Sequence, residues 1–272
     1  MNTRKLLKNH LIKLGFTQFK YNKDYNKWAQ EKIKKSKLSK KVIEKYYYYL
    51  KQNSIKNKYK LDLNFYNLIA EFDVLYKTLH SFKFKDIVLS GMEITKELTE
   101  PTKVLDIGCN IGYLTSFYAK YFPRSNFIGY DKSRYSIDEA KKIYSKLEYP
   151  NLDFINNLKK LNNNRFNYII DTQCLTNVSN RNLRLIVKFI KNKLKPLGKV
   201  ISISNLPNEK EAEKFIEIFY DNKLFLKEIR PLLLINLNGL QAYTKLIFTG
   251  NIGIVDYNLE SYFFELRKKM LY

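Results

Sequence analysis

A chain of 272 residues that is 45% hydrophobic and 15% aromatic can bury one sizeable core, which excludes wholesale disorder. No apolar run approaches the roughly 20 residues a membrane-spanning helix needs, and the stretch from Met1 to His10 lacks the features of a signal peptide, so no membrane insertion and a cytoplasmic location are expected. Two cysteines (Cys109, Cys174) and two histidines (His10, His80) form neither a disulfide framework nor a ligand pattern, so no metal is expected.

The formal charge of +23 has two readings. A positive field of this size suits a nucleic-acid partner. It also accompanies the heavy use of Lys, Asn, Ile, Tyr and Phe that an AT-rich coding sequence imposes. Because lysines run along the chain and arginines are few, coding bias is the favoured reading.

Up to residue 100 the convincing segments read as helix. Lys41–Leu50 places Ile43, Tyr46, Tyr47 and Leu50 on one face, and the tyrosine run from Tyr46 to Tyr49 is expected to be half core and half surface. Asn64–Phe82 reads as one long helix, with Phe65, Leu68, Ile69, Phe72, Leu75, Tyr76, Leu79 and Phe82 at three- and four-residue steps. His80 on it is expected to be a solvated or packed helix residue rather than a base. Phe84–Leu98 continues helically with Ile87, Val88, Met92 and Ile94 inward, until Pro101 breaks the pattern.

Strands and helices then alternate. Lys103–Ile107, Asn126–Tyr130, Leu152–Ile155, Phe166–Asp171, Lys199–Ser204, Phe225–Ile229 and Ala242–Phe248 read as strands. Gly112–Phe122, Ser136–Leu147, Asn182–Leu194, Glu209–Asp221 and the tail Asn258–Leu271 read as helices. Ser136-Ile-Asp-Glu139 has the form of a capping box, and Pro196-Leu-Gly198 that of a turn whose neighbours Lys195 and Lys199 face solvent. The alternation predicts an α/β fold: a doubly wound, seven-stranded, mostly parallel sheet with an antiparallel last strand, preceded by a helical N-terminal cap. Residues 1–100 are the expected cap and substrate-binding segment. Residues 101–272 are the expected cofactor-binding core with a C-terminal helix.

The segment Val104-Leu-Asp-Ile-Gly-Cys-Asn-Ile-Gly112 carries the most chemistry. A buried strand feeds a glycine-bearing turn and then a helix, which is how open α/β sheets bind nucleotides. Asp131, at the end of Phe127-Ile-Gly-Tyr-Asp131, stands about 20 residues on, where an acid grips a ribose diol. A dinucleotide would need a further glycine at 110, and Asp106 would repel its pyrophosphate. A nucleoside carrying a sulfonium and an amine satisfies both acids, so the electrostatics favour S-adenosylmethionine.

Val104–Gly112 resembles the first motif of class I S-adenosylmethionine-dependent methyltransferases, and Asp131 their second-motif acid. Phe166–Val178 resembles the fourth strand and the segment leading to the substrate, and Leu194-Lys-Pro-Leu-Gly-Lys-Val200 the turn opening the fifth strand. The resemblance runs from about Lys103 to Thr249. It implies a cofactor set of Asp106, Gly108, Cys109, Asn110, Gly112, Asp131, Lys132, Asn156, Asn157, Asp171 and Thr172, with Asn157 in preference to Asn156 on the adenine. Gln173, Asn177 and Tyr113 are implied as acceptor-positioning residues. Asn110 stands where the family has glycine, and Asn177 where many small-molecule enzymes have histidine, which puts a general base at 177 in doubt. Cys174 reads as a small buried filler in preference to a catalytic thiol.

The expected reaction is methyl transfer to O or N of a small polar metabolite or surface-glycan precursor, with a small-molecule substrate as partner and no oligomeric state set by the sequence. The alternative is an RNA or other nucleic-acid methyltransferase, against which Asp171-Thr-Gln-Cys174 is neither N/D-P-P-Y/F nor a Pro-Cys pair. A catalytically inactive partner subunit is a second alternative, against which both Asp106 and Asp131 are retained.

Overall fold

The computed structural model describes residues 2–55, 63–206, 208–250 and 262–263. Six helices come first: α1 (Thr3–Lys13), α2 (Asn22–Lys34), α3 (Lys40–Ile55), α4 (Leu63–Glu71), α5 (Asp73–Phe82) and α6 (Phe84–Glu97). The alternating region then gives β1 (Lys103–Ile107), α7 (Tyr113–Tyr121), β2 (Asn126–Tyr130), α8 (Arg134–Ile143), β3 (Leu152–Ile155), β4 (Phe166–Thr172), α9 (Asn180–Lys193), β5 (Leu194–Ser204), α10 (Glu209–Asp221), β6 (Phe225–Asn236) and β7 (Gly239–Thr249).

The seven strands form one sheet in the order β3-β2-β1-β4-β5-β7-β6. β1 through β5 pair in parallel, with Asp106 opposite Gly129 and Ile107 opposite Asp171. β7 runs antiparallel to both β5 and β6, so the last strand inserts between two strands of the parallel set. Period-two alternation divides each strand between two cores. On β1, Val104 joins the core under α7, α8 and the N-terminal helices, while Leu105 and Ile107 join the core under α9 and α10. Tyr46 lies in the first core at 1% exposure and Tyr48 stands out at 59%, as the tyrosine run predicts.

Four elements depart from the sequence reading. The single helix expected over Asn64–Phe82 is two, because Phe72 leaves helical geometry (φ −121°, ψ 101°) and caps α5. The apolar step of three and four continues across the break, so periodicity is blind to it, while the break lets α4 pack on α8 and α5 on α2. α8 starts earlier than Ser136: Ser133 is its N-cap, its Oγ accepting from Ser136 N at 3.1 Å, and the expected box at Ser136–Glu139 is not the cap. The turn at Pro196–Gly198 is a bulge within β5, which pairs Leu194 with Phe166 and resumes with Lys199 opposite Tyr168. Finally, the β6–β7 hairpin extends well past the expected strands. Its added run, Leu232 to Ile235, lacks polar alternation, and Pro231 is tolerated because β6 is an edge strand.

The expected tail helix falls outside the described residues except for Tyr262 and Phe263, which are helical; the Tyr262 hydroxyl lies 2.8 Å from Thr244 Oγ1. Among the described residues no helix is long and apolar enough to cross a membrane.

Candidate functional site

β1 and its neighbours β2 and β4 end on the same edge of the sheet, where the strand order reverses and open α/β sheets form their ligand crevice. The loop after β1 is shaped by three left-handed residues: Gly108 (φ +77°), Asn110 (φ +53°) and Gly112 (φ +79°). A Cβ at Gly108 would fall 2.3 Å from Cys174 Cβ, and one at Gly112 would fall 2.3 Å from Phe154 Cε1. Asn110 replaces glycine without losing the turn because asparagine tolerates left-handed geometry. Its Oδ1 also accepts from Ser136 Oγ at 3.3 Å. The loop is pinned to β2 by Gly108 N and Cys109 N, which donate to the Tyr130 carbonyl at 2.7 and 3.0 Å.

Asp131, just past β2, reaches back to this loop. Its carboxylate accepts from Asn110 N at 3.0 Å and from Ser133 N at 2.8 Å. Burial raises its pKa, and the two N–H groups hold it down in part. Asp106 is 2% exposed and accepts from Thr115 Oγ1 at 2.6 Å. Burial lifts its pKa to about 7; Asp171 and Asp131 add to the rise, and the Thr115 bond opposes it. Asp171 is also buried, with a pKa raised by burial to about 6. Its oxygens accept from Cys174 N (2.9 Å), Leu175 N (3.0 Å) and Ser202 Oγ (2.7 Å), which ties the turn after β4 to β5. Three acids thus crowd one strand edge, an arrangement suited to a cationic ligand and hostile to a pyrophosphate.

The turn after β4 holds Gln173 in left-handed geometry (φ +60°), with Gln173 N donating to the Ile203 carbonyl at 2.9 Å. Asn177 Nδ2 donates to the Gln173 carbonyl, closing the turn. Thr172 is the last residue of β4, opposite Ile203. Cys109 is buried and Cys174 packs against Gly108; burial pushes both thiols well above the ordinary range. Lys132 is exposed, beside Asp131. Asn156 is half-buried after β3, while Asn157 is exposed and its Oδ1 accepts from Lys159 N at 2.9 Å, capping the short turn Leu158–Leu161.

Tyr113 sits apart from the β4 turn, at the start of α7. Its ring meets Phe16, Tyr76 and His80 at 5.7, 6.4 and 5.1 Å in an aromatic cluster supplied by the N-terminal helices. His80 is packed there, its Nδ1 donating to the Tyr76 carbonyl at 2.9 Å, and burial drops its pKa to about 3. His10 donates from Nε2 to the Tyr113 carbonyl at 2.9 Å and is brought by burial to about 4. Among the described residues no group of three or more His, Cys, Asp or Glu could hold a metal ion.

Several participants have no signal in the sequence. Ser133 Oγ donates to Asn67 Oδ1 at 2.7 Å, fastening α4 to the Asp131 loop. Its neighbour Tyr66 is half-buried, its pKa raised by burial with Cys174, Asp131 and Tyr113 adding to the rise. Thr115, in the first turn of α7, and Ser202, on β5, hold Asp106 and Asp171 through their hydroxyls.

A family model described as a methyltransferase domain matches residues 98–242. No curated protein matches the chain. Among solved structures, a chain of the complex between the Haloferax volcanii Trm112 methyltransferase activator and its methyltransferase is 13% identical, with a TM-score of 0.51, covering 68% of this chain and 98% of that one. The mitomycin 7-O-methyltransferase MmcR is 12% identical with a TM-score of 0.51, over 68% and 60% of the two chains. An O-methyltransferase family protein from Burkholderia thailandensis is 14% identical with a TM-score of 0.50, over 65% and 61%. At these identities the likeness is one of fold.

Proposed function

The chain belongs to the methyltransferase-domain family as a class I S-adenosylmethionine-dependent enzyme, and from that premise we propose that it methylates an oxygen or nitrogen of a small polar molecule, such as a metabolite or surface-sugar precursor. The observation that carries the cofactor side is the left-handed loop Gly108–Gly112 between buried Asp106 and half-buried Asp131. Its glycines let Cys174 and Phe154 close directly over the loop, where a Cβ would collide with them, and its acids offer negative charge where a sulfonium nucleoside needs it. In this reading Asp131 takes the ribose diol, Asp106 faces the positive end, and Asn157 or Asn156 meets the adenine. Gly108, Cys109, Asn110, Gly112 and Lys132 form the cradle, and Asp171 and Thr172 shape its floor.

S-adenosylmethionine, when bound, supplies an electrophilic methyl group. The chain's own task is then mainly alignment. Gln173 and Asn177, locked together across the β4 turn, present polar groups on the acceptor side. Tyr113 acts through the aromatic cluster that seats the N-terminal helices. Both histidines are held by backbone carbonyls, and burial lowers His10 to about 4 and His80 to about 3, so both are neutral near pH 7.

In this reading helices α1–α6 act as a cap on the core; α4 brings Asn67 onto the Asp131 loop, with Tyr66 packed beside it. Aromatic side chains of the N-terminal helices packed against Tyr113 suit a small acceptor better than a polymer. The test is transfer of labelled methyl in an extract fractionated into small molecules and RNA, at about 0.15 M salt where the Debye length is ~8 Å. Label in the small-molecule fraction is expected. Stoichiometric label in RNA would overturn the acceptor assignment and leave the cofactor site standing.

A further inference from the structure

The positive charge is not spread evenly, contrary to the reading that made coding bias sufficient. Residues 2–51 hold fifteen Lys and Arg against three Asp and Glu, a net +12 of the chain's +23 in less than a fifth of its length. On α2 and the approach to α3, Lys32, Lys34, Lys35, Lys37 and Lys41 are all exposed. The same surface carries a groove of about 370 Å³ lined by Trp28, Glu31, Lys32, Lys35, Ser36 and Val74. Trp28 is backed by Phe19 and Tyr25, ring centroids 5.0 and 6.2 Å away, so its indole is held in place by packing.

This groove is separate from the cofactor edge. α5 turns Tyr76 and His80 toward Tyr113, and its opposite face toward α2, where Val74 lines the groove and Tyr25 Oη donates to the Thr78 carbonyl at 3.3 Å. An aromatic wall flanked by lysines is the arrangement that holds single-stranded nucleic acid: bases stack on the ring and phosphates track the cations. Its lysines lie on one helix and a short turn, a footprint of a few nucleotides rather than a duplex groove.

We propose that the face formed by α2, the turn after it and Val74 of α5 is a docking surface for a single-stranded nucleic acid, with Trp28 as stacking platform and Lys32 and Lys35 as phosphate contacts. This goes beyond the acceptor assignment and holds whether or not the bound strand is itself methylated.

Trp28 is the single tryptophan of the chain, so its emission reports the groove directly. The full chain is titrated with a uridine oligonucleotide of about fifteen residues over a salt series. Quenching is expected, with affinity falling as salt rises at a log–log slope of about −1.4, the value for two phosphates on a single strand. Lys32→Glu with Lys35→Glu is expected to weaken binding about tenfold or more while leaving the melting temperature and S-adenosylmethionine binding in place. Trp28→Ala, followed by anisotropy of a labelled oligonucleotide, is expected to weaken it similarly, with recovery in Trp28→Phe. Unchanged Trp28 emission, equal binding of a blunt DNA duplex or of anionic lipid vesicles, or indifference to the lysine reversals would overturn the proposal. Methyl transfer to the oligonucleotide would support the docking surface and overturn the small-acceptor reading; binding without transfer supports both.

Discussion

Gly108→Ala tests how the cofactor loop is packed. The added methyl would sit 2.3 Å from Cys174 Cβ and 2.4 Å from Cys174 Sγ, on a backbone at φ +77°. The left-handed conformation alone costs alanine about 1–2 kcal/mol, and an extra methyl forced into a packed contact adds about 1–3 kcal/mol. Urea unfolding of Gly108→Ala is therefore expected to show a loss of about 2–5 kcal/mol. Cys174→Gly removes the colliding atoms and leaves the backbone cost. In the double variant the loss beyond that of Cys174→Gly alone is expected to shrink to the backbone part, a coupling of about 1–3 kcal/mol between the two positions. Additive effects, within about 0.5 kcal/mol, would refute the claim that Cys174 closes over Gly108.

Other predictions follow from the buried charges. Asp106 has a folded pKa of about 7, above the ordinary carboxylate value of about 4, so the folded chain holds a proton that the unfolded chain lacks; stability of the ligand-free protein should fall as pH rises from about 4 to about 7. A cationic ligand favours the ionised acid, so calorimetric affinity for S-adenosylmethionine should rise up to about tenfold per pH unit below about 7 and then level; a flat profile would separate Asp106 from the cation. Thr115→Val removes the bond that favours ionisation, and should move that rise to higher pH. Lys245, 1% exposed, binds Glu97 and lies 3.4 Å from Glu228, so Lys245→Ala should cost about 3 kcal/mol in urea unfolding, the low end for a broken buried pair because Glu97 is partly exposed and keeps Lys199 at 3.8 Å.

The sheet and the loop were legible because local signals agreed with the fold there. Val104–Gly112 is a buried run, a glycine turn and a helix start in immediate succession, and Asp131 follows at the interval one βαβ unit requires. Legibility failed where tertiary contacts override a continuing pattern. Phe72 breaks a helix whose apolar stripe never breaks, and Leu232–Ile235 pairs along β7 although it lacks alternation. The contributions of Asn67 and Tyr66 come from a helix about 65 residues before the acid loop, a proximity that no local pattern encodes. Asp171 has the right place for a site acid, yet it is the folded turn that gives its oxygens to Cys174, Leu175 and Ser202. The clustering of lysines ahead of residue 52 was in the sequence throughout, and a total of +23 concealed it.

The most direct test of the central claim is calorimetric titration of the intact chain and its Asp131→Ala variant with S-adenosylmethionine, its demethylated product and NAD. The account predicts binding of the first two, weakened by one to two orders of magnitude in the variant, about 1.4 kcal/mol per tenfold, and no heat from NAD. Tight NAD binding, or S-adenosylmethionine binding indifferent to the loss of Asp131, would contradict it.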